Sequence, residues 1–425
     1  MQPRVMRPAG EAGRCREAAP DPPPFPAKAV GRCSDPLEST RGLAGLVLAA
    51  GTSSRMRQPK PLLPFAGSTL LERAVRTFQE AGLEEVAVVV GHEADRLRGS
   101  ARALGVRCVE NPAFERGMYS SVVAGVRSLA PEVEATFILP VDMPAVRART
   151  VELLARVFRG AQAAVVYPMF RGWRGHPPLI GRRVFADILG CSGEGGLERV
   201  LERFDEQACA VRVLDEGVVL DLDTPADYAA ACAEFGDRSV PSRGECLELL
   251  AELGVDERVV RHGEAVAEVG CSIARALLGA GIRLDGGLVR SAGLLHDLAK
   301  GKPHHALEAA RHLESLGFLR VAEVVGAHTD LPPGGRDRLD ESSVVYLADK
   351  LVRGDHPVAL PERFRAASQS YSGSPAAAAS VARRWEDAWA IASMLERVLG
   401  AGALERLAAE REQARPVGEG RHGHP

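Results

Sequence analysis

Three stretches of this chain carry residues whose types and spacing suit phosphate chemistry. The first runs Ala49, Ala50, Gly51, Thr52, Ser53, Ser54, Arg55, with Lys60 shortly after. Small residues let backbone N–H groups approach phosphate oxygens, the hydroxyls add donors without bulk, and Arg55 with Lys60 supplies the positive charge a triphosphate needs. The pattern is not GxxxxGK[ST], so this is not a P-loop of the usual kind. The second stretch is acidic and split, with Asp142 in LPVDMP and Asp221 or Asp223 in LDLDTPADY. Carboxylates at the ends of apolar runs suit a Mg²⁺ that bridges triphosphate oxygens. A plainer role for Asp223 is that of a turn residue, because Thr224, Pro225 and Asp227 read as N-cap, N1 proline and acidic N3 of a helix. The third stretch is spread over the C-terminal part, where His262, His296-Asp297, His328 and Asp349 each adjoin an apolar run. An ionised Asp in such surroundings is costly unless paired or bound to metal. Imidazole and carboxylate together suit a divalent transition metal, or Mg²⁺ with positions open to water and phosphate. Otherwise Asp349 pairs with Lys350 or Arg353, and the histidines line a core.

These residues need elements to position them. Leu43 to Ala50 reads as a buried strand, Thr69 to Ala81 as an amphipathic helix, and Val86 to Val90 as a second apolar strand. Thr136 to Val141, Ala163 to Tyr167 and Val218 to Leu222 are further strand candidates. The order predicts an α/β Rossmann-like layered domain with a mainly parallel sheet over residues 43–236, whose ligands would gather at strand carboxyl ends. Turn residues at 237–244 mark a linker. Beyond it the spacing is helical at Glu245 to Leu253, Glu257 to Leu278, Gly287 to Lys300, His305 to Leu316 and Ser342 to Arg353. An all-α domain over 245–400 is expected, then a flexible tail over 401–425. Residues 1–42 are rich in Pro, Arg and Ala, and read as disordered or as the product of a wrongly assigned start.

The formal charge of −3 and the lack of an interleaved aromatic and basic stripe argue against nucleic acid and anionic membrane as partners. Eight scattered cysteines without a CxxC pair read as reduced and intracellular, and the expected location is cytoplasmic.

The stretch LAAGTSSRMRQPK resembles the nucleotide-binding signature of the MobA-like nucleotidyltransferases, roughly LA(A/G)GxSxRMGxxK, with Arg57 where that family usually has glycine. The family includes the molybdenum cofactor guanylyl- and cytidylyltransferases. NPAFERGMYSSVVAG and RGHPP also resemble its segments, in the same order. The resemblance implies that Asp142 and Asp223 hold magnesium, and that Gly91, Asn111, Gly117, Ser120 and Ser121 lie on the nucleotide side with the loop. It places Gly175, His176 and Pro177 beside the acceptor. Ala49-Ala50-Gly51 leans towards the cytidylyl branch, whereas Gly193 to Leu197 departs from the segment usual there. The implied activity is transfer of CMP from CTP to a molybdopterin-type cofactor. One alternative is another phosphorylated acceptor. Another is a chaperone that delivers molybdopterin to a molybdenum hydroxylase apoenzyme. Further along, HDLAKG and YLADK resemble the HD-domain metal phosphohydrolases, which implies metal ligation by His262, His296, Asp297 and Asp349. His328 and His305 are candidates for a second metal. The HD part would be either a hydrolase or a regulatory, docking module.

Overall fold

Every residue of strand β1, Leu43–Ala49, is buried, because both faces of its sheet are covered. In the computed structural model, which describes residues 39–52, 56, 58–370 and 375–407, alternate β1 side chains enter two different cores. Leu43, Val47 and Ala49 pack on one side, Leu46 and Leu48 on the other. That is why the strand is apolar throughout and does not alternate with polar residues. The chain divides into two compact units between Arg238 and Ser239.

In the first unit the elements follow as β1, β2 (Pro64–Phe65), β3 (Ser68–Thr69), α1 (Leu70–Glu80), β4 (Glu85–Val90), α2 (Ala94–Ala103) and β5 (Arg107–Glu110). Next come α3 (Met118–Arg127), β6 (Ala135–Pro140), α4 (Ala148–Ala161), β7 (Val165–Phe170), β8 (Trp173–Arg174) and β9 (Leu179–Gly181). The unit closes with α5 (Phe185–Gly190), α6 (Gly196–Glu202), β10 (Ala208–Arg212) and α7 (Pro225–Phe235). The sheet order is β10-β7-β9-β6-β1-β4-β5, with β8 on β7. β1 runs parallel to β4 and β6, while β9 is antiparallel to β6 and β7. Helices α1 and α4 cover one face through Leu71, Val75, Phe78, Val151 and Leu154; α3, α5 and α6 cover the other through Val122, Val126, Ile188 and Val200. Each such fully buried side chain contributes about 1.5–3 kcal/mol. Helix α1 starts where Thr69 and Glu72 exchange hydrogen bonds in a capping box.

The structure corrects four readings of the sequence. Val218 to Leu222 is not a strand: Glu216–Val219 forms a 3₁₀ turn, and the strand of this region is β10, whose five residues are all at least partly exposed. The helix expected to reach Lys300 stops at Leu295, because the backbone turns at His296 to Gly301. Ser39 and Thr40, within the segment expected to be disordered, are buried, and the Thr40 hydroxyl donates to the Gly82 carbonyl at 2.9 Å. The rest of that segment, residues 1–38, and the tail from 408 lie outside the described residues. Residues 403–407 of the expected tail are helical, with Ala403 buried.

The second unit is helical: α8 (Arg243–Glu252), α9 (Glu257–Gly279), α10 (Gly286–Leu295), α11 (His305–Ser315), α12 (Leu319–Ala327), α13 (Glu341–Lys350), α14 (Leu360–Ser370) and α15 (Pro375–Leu399). A short hairpin, β11 (Val352–Arg353) with β12 (His356–Pro357), follows α13. Helices α9 and α10 touch through glycines: a Cβ on Gly263 would lie 2.7 Å from the Leu294 carbonyl oxygen, and one on Gly293 2.7 Å from Ala267 Cα. That approach sets the positions of the histidines described below. No helix among the described residues is long and apolar enough to cross a membrane.

Candidate functional site

Among the described residues two ligand clusters occur, one in each unit. In the first, Asp142 follows β6 directly, and the Val141 N–H donates to the Leu48 carbonyl at 3.0 Å, which pins the strand end beside β1. The Leu222 N–H donates to the Asp142 backbone carbonyl at 3.1 Å, so the segment carrying Asp221 and Asp223 is tied against Asp142. A capping box between Thr224 and Asp227 starts α7 immediately after Asp223 and fixes its backbone. Asp142, Asp221 and Asp223 each present an oxygen within 4.8 Å of the others.

Three carboxylates this close repel one another, and Lys60 offsets the repulsion. Its Nζ lies 2.9 Å from Asp142 Oδ2 and 3.5 Å from Asp223 Oδ1. Burial works against the Lys60 ammonium, but Asp142, then Asp221 and Asp223, outweigh it and raise its pKa. Asp221 is pushed up to about 7, first by burial and then by Asp142 and Asp223. One Asp221 oxygen is buried without a hydrogen-bond partner. An all-oxygen donor set with an unsatisfied carboxylate fits a hard divalent cation such as Mg²⁺ or Mn²⁺.

Other residues singled out by sequence fall around this cluster in different ways. Ala49 ends β1, Ala50 is buried, and Gly51 and Thr52 are exposed, while Ser53, Ser54 and Arg55 lie outside the described residues. At Gly91 a Cβ would meet Phe114 Cβ at 2.5 Å and Ala50 Cβ at 3.0 Å, so packing alone demands glycine there. Asn111 and Ser121 are buried, and Asn111 Nδ2 donates to Ser120 Oγ at 2.8 Å and to Ser121 Oγ at 3.0 Å. These three brace the start of α3, where Gly117 takes a φ of 93°. His176 donates its backbone N–H to Val218, precedes a cis bond to Pro177, and carries a buried Nδ1 without a partner. Burial lowers its pKa to about 4, against the pull of Asp142. Gly175 packs against Val218, whose carbonyl oxygen would lie 2.3 Å from an added Cβ.

In the second unit, the rings of His262 and His296 stand 5.1 Å apart between centroids, those of His296 and His328 5.0 Å, and those of His328 and His305 5.2 Å. Backbone carbonyls orient three of them: Gly354 lies 2.7 Å from His262 Nδ1, Gly293 2.8 Å from His296 Nδ1, and Val325 2.7 Å from His328 Nδ1. Each Nε2 is thereby turned towards the carboxylates, the arrangement by which imidazoles ligate metal. His262 Nε2 is 3.1 Å from Asp349 Oδ1, whereas the buried His296 Nε2 has no hydrogen-bond partner. Asp297 stands between two histidine pairs. Its Oδ2 is 3.4 Å from His296 and 3.8 Å from His262, and its Oδ1 is 3.4 Å from His305 and 3.8 Å from His328. His262, His296 and Asp349 form one possible ligand set, and His296, Asp297 and His328 a second. A mixed imidazole and carboxylate set fits a divalent transition metal.

Charge in this cluster is arranged for ligation. Burial opposes ionisation of both acids, yet His296 and Lys300 hold Asp297 well below the usual carboxylate range. Lys350, His262 and His296 do the same for Asp349. Burial, with His296 next, lowers His328 to about 3 and leaves its ring neutral and able to donate a lone pair. Lys300 pairs with Asp297.

Residues 45–209 match the model of the MobA-like NTP transferase domain, and residues 259–354 that of the HD domain. The chain belongs to the MobA-like nucleotidyltransferases and carries an HD domain. It is 30% identical over 190 residues to nicotine blue oxidoreductase of Paenarthrobacter nicotinovorans, covering 43% of this chain and 92% of that one. To the molybdenum cofactor cytidylyltransferase of Escherichia coli it is 25% identical over 187 residues, 44% of this chain and 93% of that one. A third relative, the bifunctional IPC transferase and DIPP synthase of Rubrobacter xylanophilus, is 50% identical over 103 residues, 22% of this chain and only 24% of that relative's length.

Two residues of this MobA-like and HD chain escape the motif reading. Asp221 counts in the sequence only as an alternative to Asp223, yet both side chains reach Asp142. Lys350 reads only as one of two alternative partners for Asp349; the pair does form, and Lys350 is buried. Its Nζ is 2.7 Å from Asp349 Oδ2, donates to the His328 carbonyl at 3.2 Å, and lies 4.4 Å from the Tyr346 ring centre. The signal available was its place beside an acid directly after the apolar run Val344 to Ala348.

Proposed function

We propose that the MobA-like unit transfers a cytidylyl group from CTP to a molybdopterin-type cofactor, and that the HD unit hydrolyses a phosphoester. The observation that carries the first part is the convergence of Asp142, Asp221 and Asp223 on Lys60 at a strand carboxyl end. The cytidylyltransferase relative, matched over 93% of its length, supports the choice of nucleotide and acceptor. In the reaction a terminal phosphate oxygen of the acceptor forms a bond to the α-phosphorus of CTP, the bond to the β-phosphate bridge breaks, and pyrophosphate leaves. That phosphate is largely ionised at neutral pH, so no protein nucleophile is needed. Asp142, Asp221 and Asp223 would hold Mg²⁺, which supplies charge neutralisation at the phosphates when bound. Lys60, within reach of the same space, would shift its charge to the oxygens on which negative charge develops. Arg55 is assigned the same task from its place in the loop. His176, kept neutral by burial, would shape the acceptor side.

In the HD unit, His262, His296, Asp297 and Asp349 would hold one metal, and His328 with His305 would help hold another, either one lowering the pKa of bound water. The placement of Asp297 between the two histidine pairs supports room for both. Purified protein supplied with Mg²⁺, molybdopterin and each of CTP, GTP, ATP and UTP should release pyrophosphate fastest with CTP. Release with another nucleotide would shift the assignment to that branch. Tight molybdopterin binding without pyrophosphate release would replace transfer by a delivery role towards a molybdenum hydroxylase apoenzyme.

A further inference from the structure

Lys60 holds a place in the acidic cluster of the N-terminal unit that a divalent cation would also need. Its ammonium lies 2.9 Å from Asp142 Oδ2 and 3.5 Å from Asp223 Oδ1, and only 12% of the side chain is exposed. A braced backbone delivers it there. Pro59 and Pro61 flank the residue, Pro61 is buried, and the Leu62 and Leu63 N–H groups donate to the Pro59 and Lys60 carbonyls at 3.0 and 3.1 Å. Proline fixes φ, so this turn has few other shapes open to it. Further on, the Pro64 carbonyl accepts from the Tyr228 hydroxyl of α7, the helix whose cap follows Asp223. Lysine and acid thus sit on segments tied to each other, and the motion left to the ammonium is rotation about the bonds of its own long stem.

Charge decides what that motion requires. The two acids that Lys60 bridges belong to the set whose oxygens converge, with Asp221 as the third. A dication entering among them meets the ammonium at contact range, and in a partly buried site salt screens that repulsion little. Withdrawal of the ammonium strips it of both carboxylates unless other anionic oxygens receive it. A polyphosphate supplies them, because its oxygens can ligate a hard ion and also accept from a lysine. We propose that Lys60 stands in for the divalent ion in the nucleotide-free protein, so that ion and polyphosphate bind as a coupled pair and each binds weakly alone. The coupling is reciprocal: the factor that the polyphosphate adds to ion affinity is the factor that the ion adds to polyphosphate affinity. The proposal rests on the reading of this cluster as the metal site of nucleotidyl transfer.

The test is calorimetry of the full chain at about pH 8, where carboxylates are ionised, with Mn²⁺ alone and with the manganese complex of inorganic tripolyphosphate. Only binding that Asp142→Asn removes is counted, so that ions taken by the HD unit are left out. Lys60→Met should bind the bare ion at least about tenfold more tightly than the wild type, the scale on which one neighbouring charge shifts an ionisation. The same variant should bind the tripolyphosphate complex at least about tenfold less tightly, having lost the cation that receives the phosphate oxygens. Lys60→Arg keeps the charge and should change bare-ion affinity by less than about threefold. Lys60→Gln takes the place of the methionine variant if that one misfolds. Bare-ion affinity unchanged or weaker in the uncharged variants, a gain shared by Lys60→Arg, or a change of the same sign with both probes overturns the proposal. Pyrophosphate release separates it from the transfer reading. Opposite shifts without pyrophosphate from any nucleotide keep the stand-in lysine and remove transfer, while pyrophosphate release with unshifted ion affinity does the reverse.

Discussion

In the N-terminal unit the acids Asp142, directly after β6, and Asp221 and Asp223, just before α7, sit partly exposed, and a lysine bridges two of them. In the HD unit His262, His296, His328 and Asp349 are buried on or beside helices, and a backbone carbonyl holds each of those rings. The contrast concerns where the counter-charge comes from. The carboxylate cluster carries its own cation and would exchange it for a metal that arrives with a triphosphate. The histidine cluster is already oriented, with ionised Asp297 and Asp349 and a neutral His328 ring, and so is built to retain a metal. Hard oxygen ligands and softer nitrogen ligands should also select different ions.

If this contrast holds, the two sites can be broken separately. Asp297→Ala, which removes the carboxylate between the histidine pairs, should lower phosphoester hydrolysis on the order of 10³-fold and empty the HD unit of metal by elemental analysis. Pyrophosphate release by the other unit should stay within about twofold. The mirror experiment is Asp142→Asn, expected to cost roughly 10²–10³ in the rate of nucleotidyl transfer while the HD metal remains. A joint loss in either variant would mean that the sites are not independent. Lys350→Met tests the orientation of Asp349: metal affinity should drop about 10–100-fold, as for other groups that hold a ligand in place. Circular dichroism should stay unchanged, and unaltered metal affinity would leave Lys350 a packing residue.

A pH titration sharpens the comparison further. Asp221 has its pKa raised to about 7, so between the ordinary carboxylate value and that pH the folded unit keeps a proton that an unfolded chain has lost. Stability without metal should therefore fall as pH rises through this window, since the folded state binds more protons. Metal must expel that proton, so Mn²⁺ affinity at this site should weaken about tenfold per pH unit below about 7 and level off above it. A flat profile by calorimetry would exclude Asp221 as a ligand. The smallest effect is expected for Thr224→Ala, which removes the cap of α7 next to Asp223 and should cost about 1 kcal/mol in denaturant unfolding.

Much of the fold was legible because its signals are local. The apolar runs of β1, β4 and β6, the capping residues Thr224 and Asp227, and the helical spacing of the C-terminal half all follow from side-chain periodicity. Strand β10 was missed because its apolar run, Ala208 to Val211, is short and holds two alanines, which disfavour strands. Segment 218–222 misled because a 3₁₀ turn and the residues that leave it can be as apolar as a strand without pairing. For the candidate sites, residue type and order marked Asp142, Asp223, His262, His296, Asp297 and Asp349 as chemical.

By itself, then, the sequence determined which elements form and which side chains are able to ligate, since propensity, capping and ionisation belong to the residue and its near neighbours. Only the tertiary structure decided which of them meet. Asp221 joins Asp142 through a backbone hydrogen bond between Leu222 and Asp142. His262 reaches His296 because glycines let α9 and α10 touch, and Lys350 is turned inward onto Asp349. The reason is that electrostatic and coordinate interactions act over a few ångströms between residues far apart in the chain, and packing alone sets those distances.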